Sequence, residues 1–250
     1  MSFGIIKKER IRYIDFFKAL AILLVILGHV NFANTGIKSW IYSFHMPAFF
    51  FASGLYLNTE KKVTKQEYFS LIQKNTYRLI LPYILWGLIF SQFSPLNCAK
   101  LAYGSYSMIS SAKSLTSLWF LPVLFLSLMM LHSFMWLSRK HFGNAAKLCL
   151  MILGFIVGFI LPNIKIGYPW SINVAFVAFG FVLLGNLSSG MMAKVTLLFS
   201  AEKKIQSLLL KIVAMGLCFA GTMIYQYNIP DFGYVLMGKI KYVSQLTVFY

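Results

Sequence analysis

The 250 residues are 59% hydrophobic and only 12% charged, with a formal net charge of +17 and a mean hydropathy of +0.72. That balance excludes an ordinary soluble domain and describes an all-α, polytopic transmembrane helix bundle. It also excludes nucleic acid as a partner, because the basic residues stand in short segments between apolar runs, where they orient a chain in a bilayer.

The N-terminal MSFGIIKKERIR is too polar to be the core of a signal peptide, and the apolar run after it is long enough to stay as a spanning helix. A bilayer core needs about 20 apolar residues per helix. Windows of that length predict seven spans, near residues 14–33, 40–58, 77–95, 117–137, 146–162, 170–187 and 207–226. The remainder after residue 226 holds no complete span, so the bundle has about 7 to 8 spans.

The first span contains the unusual stretch YIDFFKALAILLVILGH, Tyr13 to His29. Eleven helical steps are about three turns, so Lys18 and His29 share one face about 16 Å apart, with Asp15 near the same face. A short hairpin at roughly Asn34 to Ser39 keeps the second span adjacent and brings His45 to nearly the depth of His29. The basic segment NTEKKVTKQEYFSLIQKNTYR follows. Its Tyr68, Phe69, Leu71 and Ile72 interleave with Lys65, Lys74 and Arg78, which predicts an amphipathic stretch along the membrane interface.

The third span opens at Leu81 and Pro82, a pair that kinks or frays a helix. Trp119 and Pro122 start the fourth, where an aromatic belt is expected. Neither His132, near its end, nor His141 is assigned a role. Gly154 and Gly158 in the fifth are spaced for close helix packing. The connection PNIKIGYPWSIN is a tight turn before the sixth. Cys98, Cys149 and Cys218 form neither a disulfide framework nor a metal spacing and read as packing residues, and no metal site is expected. No internal repeat is present.

Alternating the spans from a cytoplasmic N-terminus puts seventeen Lys and Arg residues on one side and six on the other. The side with the excess is the cytoplasmic one, so the N-terminus is cytoplasmic and His29 lies near the outer end of its helix.

Lys18 and His29, separated by ten residues, stand within YIDFFKALAILLVILGHV. This resembles the signature of the membrane-bound acyltransferase-3 family, in which Arg or Lys is followed by ten residues and His. Four further pieces agree in order and spacing: WIYSFHMPAFFFASGLYL, YRLILPYILWG, SLWFLPVLF and a stretch ending FGFVLLGN. Within the family, the chain is most similar to the fucose 4-O-acetylase-like and polysaccharide O-acetyltransferase members. The resemblance covers nearly the whole of 1–250 as a single membrane domain. Members carry more spanning helices than this chain holds, so it implies a domain shortened at its C-terminus.

The resemblance implies an O-acyltransferase of the bacterial inner (plasma) membrane, moving an acetyl or other acyl group from cytoplasmic acetyl-CoA to a hydroxyl of a cell-surface or exported polysaccharide. By position, His29 is the catalytic histidine, Lys18 its basic partner and Asp15 the preceding acid, with His45 in the HMP position. Lys74 and Arg78 match the donor-facing basic segment, although they flank Asn75–Thr76–Tyr77 where many members pair arginines. An imidazole can take a hydroxyl proton at neutral pH, as this transfer requires. Read structurally instead, His29 is an interhelical hydrogen-bonding residue and Lys18 reaches for the interface. The other readings are a transporter or flippase for a lipid-linked sugar and an inactive, truncated member. The acceptor and the oligomeric state are not encoded in any motif.

Overall fold

The computed structural model describes Ala19, residues 22–27, 35–55, 57, 59, 63–138, 143–162 and 164–199. Most of these residues are helical, and none of them is in a strand. The helices are α1 (Thr35–Leu55), α2 (Lys65–Asn75), a π-helical turn (Thr76–Ile80), α3 (Leu81–Phe90), α4 (Pro95–Tyr103), α5 (Tyr106–Ser110), a 3-10 helix (Lys113–Trp119), α6 (Phe120–Leu137), α7 (Asn144–Ile160), a second 3-10 turn (Pro169–Ser171) and α8 (Ile172–Phe199).

Two segments among the described residues, Ser114–Leu137 and Pro169–Met191, are long and apolar enough to cross a membrane. They coincide with the fourth and sixth expected spans. The fifth is present as α7, a shorter apolar helix of 17 residues. Most of the first expected span and all of the seventh lie outside the described residues. Residues 22–27 of the first are helical, and Ile22, Leu23, Ile26 and Leu27 are exposed.

Two expectations change. The hairpin foreseen at Asn34 to Ser39 is instead the opening of α1, which begins at Thr35. His45 is therefore ten residues into the helix, about 15 Å along it, and Pro47 lies in the helix interior, where the carbonyl of Ser43 loses its i+4 donor. The third span is not one continuous helix. α3 ends at Phe90, and Gln92 and Phe93 turn the chain with positive φ of 52° and 56°. The short helices α4 and α5 follow, in a stretch that no apolar window marked.

At the start of α3 the kink expected from Pro82 takes a definite form. The N–H of Leu81 bonds the carbonyl of Thr76, five residues back rather than four. Pro82 supplies no N–H for the carbonyl of Arg78, and its ring crowds that carbonyl, so the preceding turn widens.

The core is organised around α8, which packs on α1, α6 and α7. A helix that is apolar on all sides is stable only when surrounded, and Val174, Val177, Val182 and Leu183 are fully buried. They join Phe50, Val123 and Leu131 in one cluster. Glycines set the closeness of two of these contacts. A Cβ on Gly54 would overlap the carbonyl of Val182, and one on Gly185 that of Phe51, so α1 and α8 meet backbone to backbone. Against α7, a Cβ on Gly154 would stand 2.9 Å from the carbonyl oxygen of Phe176, and one on Gly158 3.1 Å from that of Asn173. The packing role read from the Gly154 and Gly158 spacing is what α7 shows.

A second cluster of Tyr83, Leu101, Ile109, Leu115 and Leu118 joins α3 to α4, α5 and the 3-10 helix. The segment before α8 is tied to this region by polar contacts. Tyr103 Oη donates to Gly167 O at 2.9 Å, Trp170 Nε1 to Ala102 O at 3.1 Å, and Ser171 Oγ accepts from Tyr106 N at 2.8 Å. These bonds hold Trp170 and Ser171 at positive φ of 50° and 49°, a conformation that persists only where its surroundings over-determine it. Of the cysteines, Cys98 is half-buried while Cys149 is exposed on α7, so it is not a packing residue. Cys218 lies outside the described residues.

Candidate functional site

Asp15, Lys18 and His29, expected to carry the chemistry, lie outside the described residues, as do Lys61, Lys62 and His141. His45, Lys74 and Arg78 are described, and they stand on different elements.

His45 is 4% exposed within α1. Its Nδ1 is 2.9 Å from the carbonyl oxygen of Ile41, one turn back. Because a carbonyl only accepts, Nδ1 carries the proton in this contact and orients the ring.

Lys74 and Arg78 are four residues apart on the continuous run from α2 into the π-turn, and both are exposed. α2 is started by a reciprocal cap. Glu67 N donates to Thr64 Oγ1 at 3.2 Å, and Thr64 N donates to Glu67 Oε2 at 2.8 Å. None of its residues is buried. Its attachment is lateral: Tyr68 Oη and Ser133 Oγ of α6 are hydrogen-bonded at 2.9 Å, and Tyr68 stacks on Trp136 with ring centroids 5.2 Å apart. Lys74 and Arg78, one helical turn apart, form with the exposed ring of Tyr77 a basic and aromatic strip, while Lys65, nine residues before Lys74, is half a turn round the helix. Such a strip suits phosphate groups, from a headgroup or from a nucleotide.

Three buried polar features were not foreseen. Asn186, 5% exposed on α8, accepts from Thr59 Oγ1 at 2.7 Å and donates from Nδ2 to the carbonyls of Leu57 at 2.6 Å and Gly54 at 3.3 Å. Its amide ties down the chain where α1 ends: the Leu57 carbonyl takes one N–H, and Gly54 O, which also accepts from Leu57 N at 3.1 Å, takes the other. The only sequence sign was an Asn following Gly185 in an apolar run. Lys147, counted with the charges flanking a span, is buried in the first turn of α7. His132 is 3% exposed on α6, and its Nδ1 has no hydrogen-bond partner. Among the described residues, no three His, Cys, Asp or Glu side chains gather as metal ligands would.

The described parts thus contain an exposed basic strip, an oriented buried histidine and a polar clamp between α1 and α8. The family model for an acyltransferase domain, Acyl_transf_3, matches residues 11–249. The chain belongs to the acyltransferase-3 family. Its activity class is therefore membrane acyl transfer. No curated protein and no solved structure matches the chain.

Two of the quoted motif pieces meet in the structure. FASGLYL, at the end of α1, and FGFVLLGN, in α8, are partners in one contact made by Gly54, Gly185 and Asn186. In this acyltransferase they join the two helices.

Proposed function

We propose that this acyltransferase moves an acetyl or related acyl group from cytoplasmic acetyl-CoA to a hydroxyl of a cell-surface or exported glycan, as a multi-pass protein of the bacterial inner membrane with its N-terminus in the cytoplasm. The family match over residues 11–249 carries this reading. Support for the orientation comes from the excess of Lys and Arg on one side of the 7 to 8 expected spans.

His29 takes the proton of the acceptor hydroxyl as its oxygen attacks the thioester carbonyl. The carbon–sulfur bond then breaks and the CoA thiolate leaves, taking up a proton. Lys18, about 16 Å along the same face, and Asp15 orient the donor end, and His45 supports the acceptor end. Lys74 and Arg78 hold donor phosphates; their exposure on the strip supports that role. No metal enters the reaction.

The test is transfer of label from acetyl-CoA to glycan by the purified protein in lipid. Transfer by the wild type and its loss in His29→Ala, with the variant still in the membrane, is the expected result. Near wild-type transfer by His29→Ala ends this mechanism. Movement of a lipid-linked sugar without label transfer would replace it by the flippase reading, and neither activity would fit an inactive member.

A further inference from the structure

We infer that Lys74 and Arg78 line a water-filled cleft that opens to the cytoplasm and reaches the middle of the membrane, where it takes phosphate groups. The orientation and the nucleotide-thioester donor are those of the proposed function, on which this inference rests. Its basis is the path of one helix. From Lys65 to Phe90 every residue is helical, π-turn included, and the run is tied to α6 and the preceding 3-10 helix near both ends. Tyr68 meets Ser133 and Trp136 at one end, and Ser114 Oγ donates to Phe90 O at 3.0 Å at the other. Between these ties the π-turn also packs on α6. The two runs are therefore antiparallel neighbours, and α2 stands beside α6 rather than lying flat across its end.

That path sets a depth. The partner run, Ser114–Leu137, is one of the two described segments long and apolar enough to cross a membrane. Arg78 lies ten residues beyond Tyr68 and twelve before Phe90. It therefore stands near the middle of the crossing, about 15 Å from the Tyr68 end, with Lys74 one turn nearer that end. Both are exposed, so the face that bears them is open. A cation at that depth does not face hydrocarbon; it faces a bundle interior or a water-filled path. Reaching back to the interface serves cations near a helix end, and Arg78 is about three turns from Tyr68. Among the described residues no carboxylate neutralises the pair: Glu67 is the one acid there, and Thr64 binds it in the cap of α2. Two such cations one turn apart suit phosphate. A donor held at mid-depth has its thioester end free to run on toward the outer half, where the proposed mechanism places His29.

The test is thiol labelling of the full chain in membrane vesicles by a charged, membrane-impermeant maleimide. Mass spectrometry of the labelled peptide reads each site, so the native cysteines stay in place. Arg78→Cys and Lys74→Cys react in inside-out vesicles at rates within about tenfold of Gln66→Cys, at the start of α2, and do not react in right-side-out vesicles. Ile152→Cys, exposed in the middle of α7 and facing lipid, reacts about a hundredfold more slowly, because a thiol in hydrocarbon stays protonated and the thiolate is the nucleophile. No labelling at positions 74 and 78 while position 66 reacts would overturn the inference, by placing that face against lipid or another segment. Labelling from the outer side alone would overturn it too. CoA binding tests the donor separately. A loss of about tenfold in Arg78→Gln, the effect of one lost charged hydrogen bond, together with labelling at 78, upholds both. Labelling at 78 in a chain that binds no CoA would take away the nucleotide donor and leave the cleft, whereas CoA binding that falls in Arg78→Gln without labelling at 74 or 78 keeps the donor and overturns this inference alone.

Discussion

Asn186 shows how much one polar side chain decides inside an apolar helix. It meets one hydroxyl and two carbonyls that have little access to water. Asn186→Ala leaves the Thr59 hydroxyl and the Leu57 carbonyl without this partner, while Gly54 O keeps its bond from Leu57 N, and destabilises the protein by about 2–3 kcal/mol, whereas Thr59→Val removes one bond and costs about 1 kcal/mol. Thermal unfolding in detergent would measure both; equal values would mean that the amide's bonds to Gly54 and Leu57 contribute nothing. Gly54 and Gly190 make a second contrast. Alanine at 54 drives a methyl into the carbonyl of Val182 and costs about 1–3 kcal/mol, while at Gly190, with nothing within 4 Å of the added atom, it stabilises the helix by about 0.5–1 kcal/mol.

At the scale of elements, the join between α2 and α3 is made by what Pro82 lacks. Pro82→Ala restores an N–H for the carbonyl of Arg78 and removes the ring that crowds it. The widened turn should close, which hydrogen exchange would report as a newly protected amide at position 82. Arg78 then turns relative to Lys74, and affinity for adenosine 3′,5′-bisphosphate falls several-fold if the strip holds donor phosphates. The helix start is independent of that turn. Thr64→Ala removes the reciprocal cap with Glu67 and costs about 1 kcal/mol, seen as faster exchange in the first turn of α2 alone. Together these variants separate the strip's formation from its use.

Across the whole molecule, apolar side chains are divided between a core around α8 and a surface that remains apolar. On α7 the side bearing Gly154 and Gly158 is buried, while Ile152, Leu153, Ile156, Phe159 and Ile160 are exposed. In a membrane protein that surface meets lipid, where an apolar side chain needs no partner and a charge is costly. Ile156→Arg should therefore make insertion of this segment less favourable by about 3–4 kcal/mol, whereas Ile156→Leu should not change it. A glycosylation-reporter assay of membrane insertion would distinguish them.

Chain order alone determined the membrane class, the helical architecture, the candidate spans around α6 and α8, the apolar helix α7 and the family, because these depend on apolar length and on residues at fixed spacing along one helix. The packing glycines of α7 are legible in that way, and the expectation for Lys18 and His29 rests on the same kind of spacing. What only the tertiary structure decided is which polar groups are buried and against what: Asn186 closing the end of α1, Lys147 enclosed, His132 with an unused nitrogen, and α1 beginning early enough to put His45 in its interior. Burial is a property of neighbours brought in from distant parts of the chain, and the spacing of residues within one helix cannot state which face another helix will cover.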